Sequence, residues 1–248
     1  MKKRLDLILN GKGGVGKSFF AVNFIQYLKD HSVKYSGIDT DNANSTLKRF
    51  HPDVNFLDLS MPTAFDPVFA ELNKHSLVVV DCRAASTDFF VKYFARLEIL
   101  DLFEKIKTSL TIVLPIGNDP DSLNEIQTLT NHFGEKAGYV IVKNRFFGKE
   151  FTFYDKSKAR VKVLDELSGK EIEMPVLNDW LVVALNQAKT TITPILQTDK
   201  FTIIDRQRML IWQRDFYSQI KSAYDLLLPI KLTAKAKPPA KEKQEPHE

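Results

Sequence analysis

Gly11, Gly16, Lys17 and Ser18 satisfy the spacing G-x-x-x-x-G-K-[ST], within the string GKGGVGKS. Four of the chain's ten glycines lie between positions 11 and 16. Glycine lets successive backbone N–H groups turn inward without a Cβ clash, and a helix opening directly afterwards adds the positive end of its dipole. Such a bend is a nest for phosphate. Lys17 would bring a point charge to the terminal phosphates, and the Ser18 hydroxyl a ligand for Mg2+. At this chain's own composition the pattern is expected by chance about 0.005 times along the sequence.

Acids stand where apolar runs stop. GIDTDNANST carries Asp39 and Asp41, and LVVVDC carries Asp81. A carboxylate at the carboxyl end of a buried strand lies where α/β sheets bind ligands, so Asp81 is a candidate to hold Mg2+ through a water. Either acid of the earlier pair could instead cap the next helix. Cys82 has no histidine near it in sequence and reads as a small buried filler rather than a nucleophile.

These residues need a scaffold of alternating strands and helices. Apolar runs at 5–9, 33–38, 54–59, 77–80, 109–114 and 139–142 read as strands, with one more at 171–176. LVVV and TIVL lack polar alternation, as strands covered on both faces do. Phe20, Phe24, Tyr27 and Leu28 share one face of a helix from Lys17 to about Lys29, and a second helix spans 121–133. The order predicts an α/β fold: a mostly parallel sheet with helices on both faces. Residues 147–169 are charged and aromatic and form an excursion, read as helical. Met209, Trp212, Phe216, Ile220, Ala223 and Leu227 recur at spacings of three and four. They predict an amphipathic helix at about 203–228 that packs on the core rather than on a membrane. The reading is one domain over 1–229 and a disordered Lys/Pro-rich tail at 230–248.

Composition excludes several classes. The chain has 248 residues, 44% hydrophobic and 27% charged, which fits a globular protein and not a disordered one. The net charge is +4, and five Lys against three Glu in the last eighteen residues supply half of it. No strong nucleic-acid footprint is left on the body. A single cysteine makes no internal disulfide. The first apolar run is broken by Asp6 and stops at Asn10, too short for a signal peptide, and no run of about 18 apolar residues exists, so the expected location is the cytoplasm with no transmembrane segment.

The second lysine of GKGGVGKS, Lys12, narrows the reading. With it the loop resembles the deviant Walker A class of ATPases, the ParA/MinD family. LILNGKGGVGKSFFAVNFIQY, GIDTDNANST and TIIDRQRMLIWQRDFYSQI together are similar to its TraL-type conjugal-transfer branch. The resemblance implies a P-loop NTPase fold, ATP and Mg2+ as ligands, and an ATP-dependent homodimer in which Lys12 reaches the partner's phosphates. It implies nucleotide contacts from Gly11, Lys12, Gly13, Gly14, Val15, Gly16, Lys17, Ser18 and Phe19, with Lys12, Lys17 and Asp41 acting in catalysis. Asp41 would position the attacking water, and Ser18, Asp39 and Asp81 would form the metal shell. Asn144, which ends the strand in YVIVKNR, would meet the adenine edge; the guanine signature N-K-x-D is not matched by NRFF. Asn118 and Asp119 would flank the nucleotide weakly.

Asn42, Ala43 and Asn44 replace the family's P-Q-G, and CRAAST its Pro-Pro. The function implied is a slowly hydrolysing dimeric switch serving conjugation or relaxosome proteins. The alternatives are a nucleotide-gated binding module with negligible turnover and a partition-type ATPase that binds nonspecific DNA.

Overall fold

The computed structural model describes residues 2–229. The tail expected to be disordered lies outside them. Seven strands form one sheet: β1 (Lys3–Ile8), β2 (Ser36–Asp39), β3 (Asn55–Phe56), β4 (Leu77–Asp81), β5 (Thr108–Ile116), β6 (Ala137–Asn144) and β7 (Lys170–Met174). Their order is β3-β2-β4-β1-β5-β6-β7, and every neighbouring pair is parallel. The chain steps from β1 to one side of the sheet and returns past it to β5, so the strand order reverses beside β1. The crevice at that reversal is where an open α/β sheet receives ligands.

Helices cover both faces. On one lie α3 (Asp66–Lys74), α4 (Thr87–Arg96), α5 (Ile99–Lys105) and α6 (Pro120–Phe133), with α7 (Thr152–Asp155) and α8 (Lys158–Val161). They bury Phe65, Phe90, Phe94, Phe103 and Phe133 against Leu5, Leu7, Val78 and Val80. On the other lie α1 (Lys17–Asp30), α2 (Thr46–Phe50), α9 (Asp179–Ala188), α10 (Ile192–Ile195), α11 (Ile203–Ser222) and α12 (Tyr224–Leu227), over Ile8, Leu77, Val79 and Val113. Leu77 through Asp81 are all buried, with alternate residues serving opposite cores, and this is why LVVV shows no polar alternation.

Three expectations change in detail. The run at 54–59 shortens to β3, a two-residue edge strand whose side chains are both exposed. The terminal helix is two helices, broken at Ala223. It is also less one-sided than its spacing implies: Met209, Trp212, Phe216 and Ile220 are buried as expected, but Ile203, Ile204, Leu210 and Ile211 are exposed. The 147–169 excursion is helical and covers the first core, burying Phe151, Tyr154, Ala159 and Val163. Lys143 to Asp155 and Arg160 to Glu171 fasten it to the β6–β7 edge. Among the described residues no helix is long and apolar enough to cross a membrane.

Candidate nucleotide site

The register aligns Ile8 and Asp39 with Asp81, and Asn144 with Met174, along the carboxyl ends of the strands. β1 leads directly into the glycine bend. Asn10 braces it: its Nδ2 donates to the Pro115 carbonyl at 2.9 Å, and its Oδ1 accepts the Lys12 N–H at 2.9 Å. Gly14 and Gly16 have φ of +76° and +101°. A Cβ on Gly16 would stand 2.6 Å from Asn144 Nδ2 and 2.9 Å from Met174 Cε, so both backbone conformation and space require glycine there. Val15 is buried beneath the bend. Gly11 and Gly13 complete the curve, which ends as Lys17 opens α1.

Lys17 is only 7% exposed, and its Nζ donates to the Lys12 carbonyl at 2.7 Å, so the ammonium closes the loop on itself. Burial lowers its pKa, opposed by nearby Asp81. Asp81 is 1% exposed, and neither carboxylate oxygen has a hydrogen-bond partner of good geometry. Burial pushes its pKa up to about 7; the adjacent Ser18 hydroxyl and the Lys17 charge pull against this, while Asp39 adds to it.

An orphaned buried carboxylate beside a hydroxyl suits Mg2+, which binds through one or two carboxylates and takes its other oxygens from phosphate and water. Among the described residues no group of three or more His, Cys, Asp or Glu could hold a metal alone. Ser18 and Asp81 therefore fit a metal that arrives with a polyphosphate.

The acids after β2 are engaged by backbone. Asp39 accepts the N–H groups of Asp41 and Lys48, each at 3.0 Å, and thereby anchors α2. Asp41 accepts those of Ala43 at 2.9 Å and Asn44 at 3.3 Å. This is the capping arrangement left open by the sequence, and it gives each Asp39 oxygen one backbone donor. Burial raises the Asp39 pKa, partly offset by its backbone donors.

Lys12 is held within its own chain: its Nζ lies 3.0 Å from Asp119 and 3.3 Å from Asp121. The hydrogen bond to Asp119 raises its pKa. Asp119 also caps α6 by accepting the Ser122 N–H at 3.0 Å. The outer side of the bend, Asn118, Asp119 and Phe147 border an open groove of about 400 Å3.

Asn144 donates from Nδ2 to the Val15 carbonyl at 3.0 Å and accepts the Phe146 N–H at 3.1 Å. It ties the loop to β6 and retains one N–H and one lone pair for a ligand. Beside it, Phe19, Phe146 and the segment after β7 enclose a slot of about 170 Å3.

A bend for phosphate, a buried lysine, an unpaired carboxylate and an adjoining slot together outline a nucleotide. A profile of the CobQ/CobB/MinD/ParA nucleotide binding domain matches residues 7–209. The chain belongs to this family. Within the CobQ/CobB/MinD/ParA family it is 24% identical over 252 residues to Protein TraL of Escherichia coli, covering 89% of this chain and 98% of that one. The MinC:MinD cell division protein complex of Aquifex aeolicus shares the fold at a TM-score of 0.54 and 14% identity, over 92% of this chain and 98% of that one. The septum site-determining protein MinD of Pyrococcus horikoshii OT3, complexed with Mg-ADP, does so at 0.51 and 13%, over 93% and 100%. The all-parallel sheet is thus that of the MinD/ParA P-loop NTPases.

Several residues of this ParA/MinD-type domain escaped the sequence reading. Glu125 of α6 accepts the Gly11 N–H at 2.9 Å and the Thr87 hydroxyl, bridging the start of the loop to α4. Thr40 donates its hydroxyl to the Asp81 carbonyl at 3.0 Å and accepts the Arg83 N–H at 2.9 Å, joining the segments that follow β2 and β4. Glu125 carries no local signal, because its partner Gly11 lies more than a hundred residues away. Asn10 was legible in principle, as a polar residue ending an apolar strand directly before the glycines. Cys82 is buried, and burial, then Asp81, push its thiol pKa well up, which fits a filler.

Proposed function

We propose that this chain is a Mg2+-dependent ATPase that uses bound ATP as a dimerisation switch, acting in the cytoplasm in conjugal plasmid transfer. The observation that carries the reading is the buried Lys17 near Asp81, whose carboxylate has no partner of good geometry, below a loop in which Gly14 and Gly16 hold positive φ and Gly16 has no room for a side chain. The loop amides and Lys17 would bind the phosphates, and Ser18 and Asp81 would hold the metal. Bound Mg2+ would neutralise charge on the terminal phosphates. Asn144 keeps the loop in register with the base slot and has hydrogen-bonding capacity left for adenine. Lys12, once released from Asp119 and Asp121, would reach phosphates held by a second copy. The test is calorimetry with MgATP, phosphate release, and light scattering, on wild type, Lys17→Ala and Lys12→Ala. Lys17→Ala should lose binding, and Lys12→Ala should bind yet fail to dimerise or turn over. No affinity of the wild type for any magnesium nucleoside triphosphate would overturn the reading.

The backbone engagement of Asp39 and Asp41 favours a second reading, a nucleotide-gated scaffold with negligible turnover. Both oxygens of Asp39 and the Oδ1 of Asp41 already accept backbone N–H groups. Tight MgATP binding without phosphate release, even with partner proteins added, would select it.

A further inference from the structure

The sequence NRFFG after β6 places two aromatic rings beside the candidate site, and neither has a part in the function proposed above. Phe146 is 66% exposed, a large apolar area to leave in water. Its backbone N–H is held by Asn144 Oδ1, the amide whose Nδ2 holds the phosphate loop at Val15. The ring is therefore anchored to the loop through one intervening side chain. Phe147 packs against it edge-on at 5.4 Å and itself borders the groove outside the loop. Gly148 then turns the chain away at a φ of +123°. Pro175 and Val176 line the same slot as Phe146, with Phe19 and Asn144 also on its walls. Its volume of about 170 Å3 is below that of a pocket for a whole small ligand, and fits one ring system of a ligand whose other groups lie along the loop.

We propose that Phe146 is the base-stacking wall of the nucleotide site, covering one face of a purine whose edge Asn144 meets. The assignment rests on the nucleotide reading above, and adds that affinity depends on the aromatic face of the base. Stacking is tolerant of base identity, since every base has a π-face. The ring therefore contributes to ATP and GTP alike, and hydrogen bonds make the choice between them.

The test is calorimetry of the full chain with MgATP, MgGTP and magnesium tripolyphosphate, which lacks a base, on wild type, Phe146→Ala and Phe146→Trp. Phe146→Ala should weaken MgATP and MgGTP about tenfold and leave tripolyphosphate unchanged, while Phe146→Trp binds MgATP at least as well as wild type. Unchanged MgATP affinity in Phe146→Ala would overturn the assignment while leaving the nucleotide reading intact. An equal loss for tripolyphosphate would also overturn it, because the ring would then act on the loop and not on the base. Wild type that binds tripolyphosphate but no nucleoside triphosphate would remove both readings.

Discussion

Replacing Asp81 with asparagine isolates the energetics of burying that carboxylate. Its pKa is raised from 3.8 to about 7, mainly by burial. The folded state therefore holds the proton more tightly than the unfolded chain, and stability falls as pH rises from about 4 through 7. At 1.36 kcal/mol per unit, a shift of about three units penalises the folded state by about 2 kcal/mol at pH 5 and about 4 kcal/mol at pH 8. The amide introduced by Asp81→Asn cannot ionise, and whatever it costs to bury is the same at both pH values. Urea unfolding of wild type and Asp81→Asn at pH 5 and pH 8 should show the variant's advantage growing by about 2–3 kcal/mol across that interval. Magnesium nucleotide should reverse the ranking at pH 8 by stabilising only the wild type. A stability difference that stays flat from pH 5 to pH 8 would refute the argument that this carboxylate is held, desolvated and unpaired, in the ligand-free fold.

Asp119→Asn with Asp121→Asn should release Lys12 while keeping a capping side chain on α6. Exposed ion pairs are weak, so ATP-dependent dimerisation measured by light scattering should tighten modestly; no change would show that the acids do not restrain it. Glu125→Ala removes the acceptor shared by Gly11 and Thr87 and should lower stability by about 1–3 kcal/mol in urea, with weaker nucleotide binding. Trp212→Ala deletes a ring that is stacked on Phe216 at 5.2 Å, edge-on to Phe19 at 5.6 Å, and hydrogen-bonded to the Pro175 carbonyl at 2.8 Å. It should cost about 3–5 kcal/mol by thermal or urea unfolding.

What the sequence disclosed follows from how local each signal is. The glycine bend, Lys17, Ser18 and the strand-ending Asp81 lie within short strings whose composition is itself the mechanism, and they come together in the structure. The strands at 77–81 and 108–116 were legible because two-sided burial removes alternation from their sequences. The 54–59 run misled because Leu57 and Leu59 are core-facing without belonging to a long strand: hydrophobicity reports burial, and only the backbone partner reports a ladder. Asp39 and Asp41 show the limit for polar residues. Their types suit a metal or a water equally well as a helix cap, and the choice depends on where the N–H groups of residues 41–48 point. Lys12 is similar, since the acids that hold it sit at the start of α6, more than a hundred residues along the chain.

The contact between α1 and α11 has a consequence for how the protein is made. Phe20 meets Phe216 at 5.6 Å and Tyr27 meets Tyr217 at 4.9 Å, so α1 is covered by a helix translated nearly two hundred residues after it. Until α11 has left the ribosome, that aromatic surface lacks its native cover, and the nascent chain carries it exposed while the intervening residues are made. Truncations ahead of residue 203 should therefore yield aggregates rather than a smaller working protein, and chaperone demand should persist until α11 has been made and can cover α1.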